Sequence, residues 1–154
     1  MGPPLWSPQG YYYVGSFGVL TEYIRSELDV TDGATVAELS HEAAQATAVF
    51  VLTGEDASYA GIEPYKPVGS GGWGAFEVAA RFGWLDLDDD AFPLYADPAG
   101  SISEAKTWGL GLNWYLTKNL KAAVAYFQTD FDSFSGASGF PKEKVALSRL
   151  QVSF

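Results

Sequence analysis

The sequence has 154 residues, 47% hydrophobic and 16% aromatic, with 17 glycines and no cysteine, so it suffices for one domain and holds neither disulfides nor thiolate metal sites. Its net charge of −10 argues against a nucleic-acid partner, which needs a basic patch. No apolar run approaches the roughly 18 residues of a spanning helix, and Met1–Trp6 lacks the basic and apolar regions of a signal peptide, so either the chain stays inside the cell or these residues are an internal start within a longer protein.

Taken in chain order, almost every segment alternates with period two. A short piece around Tyr11–Val14 precedes a tight turn at Gly15–Gly18, after which Phe17, Val19, Thr21 and Tyr23 share one face. Residues 39–54 are rich in alanine, a good helix former. Yet Ala44, Ala46, Ala48, Phe50 and Leu52 fall on one side of a strand, with Gln45 and Thr47 opposite, and the segment reads as a strand. In 75–87, Phe76, Val78, Ala80, Phe82 and Trp84 oppose Glu77, Ala79, Arg81 and Gly83. In 107–116, Trp108, Leu110, Leu112, Trp114 and Leu116 share a face that Leu120, Ala122, Val124 and Tyr126 continue beyond a turn at 117–119. The last strand sets Leu150, Val152 and Phe154 against Arg149, Gln151 and Ser153. This makes about seven strands. Short connections are expected near 15–18 and 117–119, and long polar ones near 30–40, 87–103 and 131–142. The connection 54–74 is long on the short-turn side.

Period-two alternation places apolar side chains on one face of a sheet and polar ones on the other. A soluble β-sandwich buries the apolar face between two sheets, whereas a membrane β-barrel turns it to lipid. The strands are longer than the about 5–6 residues usual in soluble sheets and reach the about 9–11 that cross a bilayer. Trp73, Trp84, Trp108, Trp114, Tyr126 and Phe154 stand near strand ends, where an interfacial aromatic girdle belongs. Glu77, Arg81, Lys121, Arg149 and Gln151 fall on the opposite, lumen-facing side, where charges set ion preference or pair across strands.

Four segments carry a family resemblance: 51-VLTGE-55, 74-GAFEVAARFGWLDLDD-89, 108-WGLGLNWYLTKNLKAAVAYFQTDF-131 and 149-RLQVSF-154. From about Gly10 to Phe154 the chain resembles the phosphate-selective porins O and P of bacterial outer membranes. The resemblance implies an all-β, antiparallel transmembrane barrel of sixteen strands, of which this chain supplies the last seven. It also implies a homotrimer in outer-membrane lipid that passes anionic, phosphate-like or other small solutes. The terminal aromatic Phe154 would serve as a signal to the barrel-assembly machinery. The missing amino-terminal strands, or another chain, must then complete the wall. The family's constriction loop and most of its basic phosphate contacts lie in the amino-terminal half, so no phosphate-binding residue transfers to this sequence.

Other constellations carry less. Asp86, Asp88, Asp89 and Asp90 lack the glycine and distal glutamate of an EF-hand loop and read as a solvated loop. His41 stands alone, Ser148 and Ser153 have no histidine beside them, and the glycines of 69–74 do not open a helix after a strand as a phosphate-cradling loop would. No enzyme activity, metal or cofactor is expected. The rival readings are a soluble or secreted carbohydrate-binding β-sandwich with aromatic platforms, and a structural outer-membrane protein with no open channel.

Overall fold

The computed structural model describes residues 5–32, 35–92, 95–98, 100–136 and 140–153, with the side chains of residues 32 and 35 outside that description. Its strands are β1 (Leu5–Trp6), β2 (Gln9–Val14), β3 (Phe17–Asp32), β4 (Thr35–Val51), β5 (Ala75–Asp86), β6 (Ile102–Thr117), β7 (Leu120–Ser133) and β8 (Glu143–Val152). All belong to one antiparallel meander in the order β1-β3-β4-β5-β6-β7-β8, with β2 also on β3. β1 and β2 pair with successive stretches of β3, so together they form one interrupted strand. The sheet therefore has seven positions, as the periodicity predicted. It is open: among the described residues β8 pairs only with β7.

Residues 39–51 are strand despite their alanines. Small side chains let the neighbouring Val19, Tyr23, Phe82 and Trp84 of β3 and β5 lie beside the alanines on the same face, and that cross-strand packing overrides helix propensity. The loop expected near 30–40 is not one. β3 and β4 pair up to Asp32↔Thr35, a long ribbon whose Thr, Asp and Gly composition mimics a loop. The connection after β5 begins near 87, and β7 runs to Ser133.

The apolar face is continuous across strands. One row runs Val19–Ala48–Ala80–Leu110–Tyr126, the next Thr21–Ala46–Phe82–Trp108, and the one after it Tyr23–Ala44–Trp84. Leu110 is 59% exposed, Val124 53% and Phe82 52%, and among the described residues no second sheet covers them. From Phe76 to Trp84 a strand rises about 26 Å, or about 20 Å along the normal after a tilt of about 40°. That is close to the apolar band of outer-membrane barrels, about 25 Å tall.

The true core is small and lies on the other face. Val51, Ala57, Ile62, Ala75 and Tyr115 form it, with Tyr13 and Val49 packed alongside. Val51, Ala75, Tyr115, Tyr13 and Val49 all point away from the apolar band, so the connection 52–74 folds back over the polar face. Gly74 ends that connection at φ 80°, and a Cβ there would overlap the Tyr115 carbonyl oxygen. Gly15 also has a positive φ, 52°, but open space surrounds the position a Cβ would take. Gly74→Ala is therefore expected to cost at least about 1–3 kcal/mol, and Gly15→Ala about 1 kcal/mol. Urea titration of each variant folded in lipid vesicles checks the difference.

Candidate functional site: the polar face of the sheet

The alternation that turns Trp108 and Leu110 one way turns Gly109, Gly111 and Asn113 the other, and the polar face is built on such small residues. Gly109 is roofed by the Phe127 ring and Gly18 by the Tyr13 ring; a Cβ on either glycine would collide with its aromatic neighbour. These glycines keep the surface low where the rings lie flat.

Two polar chains cross this face. The upper one joins three strands. Gln45 Nε2 donates to Glu22 Oε2 at 2.6 Å, Arg81 donates to Gln45 Oε1, and Ser7 Oγ donates to Glu22 Oε1 at 3.3 Å. The lower chain centres on Glu77. Asn113 Nδ2 donates to its Oε1 at 2.6 Å, the Tyr115 hydroxyl donates to the same oxygen at 3.4 Å, and Lys121 Nζ donates to that hydroxyl at 3.1 Å. The Lys121 ammonium also lies 4.6 Å from the Tyr115 ring centroid, within cation–π range.

Of the five lumen candidates, Glu77, Lys121, Arg149 and Gln151 fall at one end, and Arg81 lies higher in its own chain. Glu77, Asn113, Ala123 and Arg149 stand in one register row, with Lys121 and Gln151 in the row below. Ala123 between them is small, and Asn113, Lys121, Arg149 and Gln151 line a cleft of about 90 Å³ over it. Glu77 is only 5% exposed; it is a buried acceptor under Tyr115 rather than a free lining charge. Sequence patterning put it on the face opposite the apolar band, where the register also has it, and missed its burial, because Tyr115 and the fold-back of 52–74 are long-range features.

That fold-back is the part of the site the patterning did not see. Glu55, 3% exposed, organises it. Its carboxylate accepts from the Tyr65 N–H at 3.1 Å and from the Thr53 hydroxyl, while Ser16 Oγ donates to its carbonyl at 2.9 Å. Further bonds run from Ala57 N–H to Gly15 O (2.7 Å) and Val68 N–H to Leu116 O (2.8 Å). Tyr59 is carried onto Tyr11, rings stacked with centroids 5.9 Å apart. A recess of about 480 Å³ remains between this segment and the strands, edged by Tyr13, Tyr59, Glu63, Lys121 and Gln151.

The aromatic candidates lie on the opposite face or its margin. Trp114 stacks on Phe76 at 5.7 Å and donates from Nε1 to the Trp73 carbonyl at 2.6 Å, so Trp73, 79% exposed, marks one margin from the connection rather than from a strand. Trp108 meets Tyr126 at 5.6 Å, and Trp84 sits level with Tyr23 toward the other margin. Phe154 lies outside the described residues. At and beyond the upper margin the same face turns charged: Lys106 and Asp130 stand level with Trp84, where Lys106 pairs with Glu104 and Lys142 with Asp130, and further out Arg25 pairs with Glu27 and Glu42.

Of the acidic run 86–90, Asp88 serves the backbone, accepting from Ser40 N–H at 2.6 Å and Asp90 N–H at 2.9 Å. His41 Nδ1 accepts from Asp88 N–H at 3.2 Å, which gives this lone histidine a structural role.

A single sheet with an uncovered apolar band, margins of aromatic rings and a polar opposite face is the wall of a barrel seen in part. Comparison with known proteins agrees. The family model described as phosphate-selective porin O and P matches residues 5–154. Porin O of Pseudomonas aeruginosa is 28% identical over 157 aligned positions, covering 97% of this chain. The chain spans 35% of that porin's length. The chain belongs to the phosphate-selective porin O and P family.

Proposed function

We propose that this chain forms the last seven strands of a sixteen-stranded outer-membrane pore through which small, phosphate-like anions diffuse. The observation that carries this reading is the unpartnered apolar band between aromatic margins, backed by a polar face with charges placed row by row. In hydrocarbon every backbone group needs an internal partner, and two open sheet edges leave rows of N–H and C=O unpaired. The remaining strands, supplied by the rest of a longer protein or by another chain, close the wall. The whole assembly is a homotrimer in the bacterial outer membrane, delivered by the barrel-assembly machinery through Phe154. No bond is made or broken. Lys121 and Arg149, with the amides of Asn113 and Gln151, offer donors and positive charge to a passing oxyanion, and lumen charges of this kind bias which ions enter. The family description, phosphate-selective, supports an anionic cargo. The uncovered band stands against a carbohydrate-binding sandwich, which would need a second sheet over it.

Planar-bilayer recording of the complete pore tests this. The wild type should give discrete conductance steps with anions carrying more current than cations. Lys121→Gln/Arg149→Gln should lower the anion-to-cation permeability ratio by roughly twofold, since two of the charges near the path are lost. A wild-type protein that inserts yet gives no steps would remove the pore reading.

A further inference from the structure

Two connections turn inward over the polar face. After β5, Ala91 and Phe92 are buried against Leu39 at one end of the sheet. At the other end lies the fold-back 52–74. It is tied down by the Ala57 N–H on Gly15 O and the Val68 N–H on Leu116 O, and Ile62 pins its middle in the small core. Between these anchors the recess of about 480 Å³ stays open beneath it. That is far more room than inorganic phosphate fills, and it lies within the range of small-molecule sites, about 300–1,000 Å³.

The lining of this recess is mixed in a particular way. Two aromatic rings border it. Tyr13 lies flat over Gly18, which has no Cβ to lift it, so its upper face turns toward the fold-back. Tyr59 has one face stacked on Tyr11 and is 74% exposed, which leaves the other face open. Lys118 and Lys121 bring positive charge, Glu63 brings negative charge, and the Gln151 amide both donates and accepts. Lys121 is half-buried, and its ammonium donates to the neutral Tyr115 hydroxyl. Among the described residues it makes no ion pair, because Glu77 is taken by Asn113 and Tyr115. A bare oxyanion only accepts hydrogen bonds, so donors alone match it, and Glu63 at the rim would repel it. Sugar hydroxyls donate and accept at once, and the C–H faces of a sugar ring cover an aromatic ring.

We propose that this recess binds a phosphorylated hexose, with the phosphate on Lys121, hydroxyls on Glu63 and Gln151, and the sugar ring against Tyr59 and Tyr13. The proposal names an organic phosphate ester as a solute of the pore, and it rests on the pore reading for the route by which that solute arrives.

Calorimetric titration of the complete pore in detergent micelles decides it, with glucose 6-phosphate, glucose and inorganic phosphate as probes at equal ionic strength. Glucose 6-phosphate should bind at least tenfold more tightly than either of the others. Lys121→Gln should weaken glucose 6-phosphate by at least about tenfold, the loss of a charged hydrogen bond, and leave it near glucose. Tyr59→Ala should weaken glucose 6-phosphate roughly fivefold to tenfold and inorganic phosphate less than twofold, and Tyr59→Phe should restore the difference. Inorganic phosphate binding as tightly as glucose 6-phosphate would overturn the sugar part of the site. Glucose binding as tightly would overturn the role of Lys121. Equal weakening of both phosphates by Tyr59→Ala would mean that the ring shapes the fold-back and does not touch the sugar. None of these readings needs a current. A protein that shows the preference yet gives no conductance steps keeps the site and loses the pore; one that conducts without the preference loses the site alone.

Discussion

Ala80→Arg should destabilise the membrane-folded protein by about 2–4 kcal/mol, the cost of arginine on the lipid face at the bilayer midplane, whereas Ala44→Arg should cost no more than about 1 kcal/mol, the value near the interface. Both alanines project from the apolar face. Ala80 lies between Ala48 and Leu110, midway along the band, and Ala44 lies level with Trp84 and Tyr23 at its margin. Neither change removes a large side chain, so lost packing does not confuse the comparison. Ala79→Arg, one residue away but on the polar face between Val49 and Gly111, should cost little, because a watery lumen solvates the guanidinium. Urea-driven refolding into lipid vesicles gives all three values. If Ala80→Arg and Ala44→Arg cost the same, the band does not face a graded apolar medium. A sheet whose exposed face met only water would tolerate both.

This depth dependence follows from what the sequence makes legible. Period-two alternation in 75–87, 107–116 and 120–126 fixes strand, face and register together, because a one-residue slip would carry Trp108, Leu110 and Leu112 to the side of Gly109 and Gly111. The pairs Phe82↔Trp108 and Val78↔Leu112 are the result. The ribbon near 30–40 was illegible for a local reason. Its turn-forming residues carry the signals of a loop, and only the pairing of Glu27 through Asp32 with Thr35 through Ser40 shows otherwise. The polar face was legible as a face and not as a site. Arg81, Lys121 and Arg149 follow from parity alone. That Arg81 reaches Gln45, and that Glu77 is buried beneath Tyr115, depends on side chains far apart in sequence.

The two inward connections were hidden for the same reason. Ala57 and Ile62 show no periodicity, and neither do Ala91 and Phe92, so nothing local assigns them a partner. Their burial follows from the strands beneath them. A sheet with one face in lipid must place any remaining apolar side chains on the lumen side, where loops fold back to cover Val51, Ala75 and Leu39. The hydrophobic effect thus acts twice with opposite geometry. In the proposed pore it draws the large side chains outward to hydrocarbon, and it draws a few short segments over the opposite face to shield patches that water would otherwise wet. Those segments narrow the space above the polar face.

The fold-back 52–74 can be released on its own, and Glu55→Ala is the substitution that should do it. The Glu55 carboxylate takes the Tyr65 N–H and the Thr53 hydroxyl, and Thr53 Oγ1 in turn accepts the Phe76 N–H at 3.1 Å. Alanine removes two hydrogen bonds to a buried carboxylate, from the Tyr65 amide and the Thr53 hydroxyl, each worth about 1.5–3 kcal/mol when the acceptor is charged. The penalty falls on the connection rather than on the strands, because the ladders from β4 to β5 and from β5 to β6 do not include Glu55. The expected result is a protein that still folds into vesicles, with protease cleavage between 55 and 66 at least tenfold faster and a larger unit conductance. Glu55→Gln keeps one acceptor oxygen for the Tyr65 amide and should restore most of the protection. Equal conductance in wild type and Glu55→Ala, alongside faster cleavage, would mean that the segment moves but does not stand in the path of solutes. Equal cleavage rates would mean that the Glu55 carboxylate is not what holds it, and the apolar contacts of Ala57 and Ile62 with Tyr115, with the backbone bonds to Gly15 and Leu116, would then carry the seat.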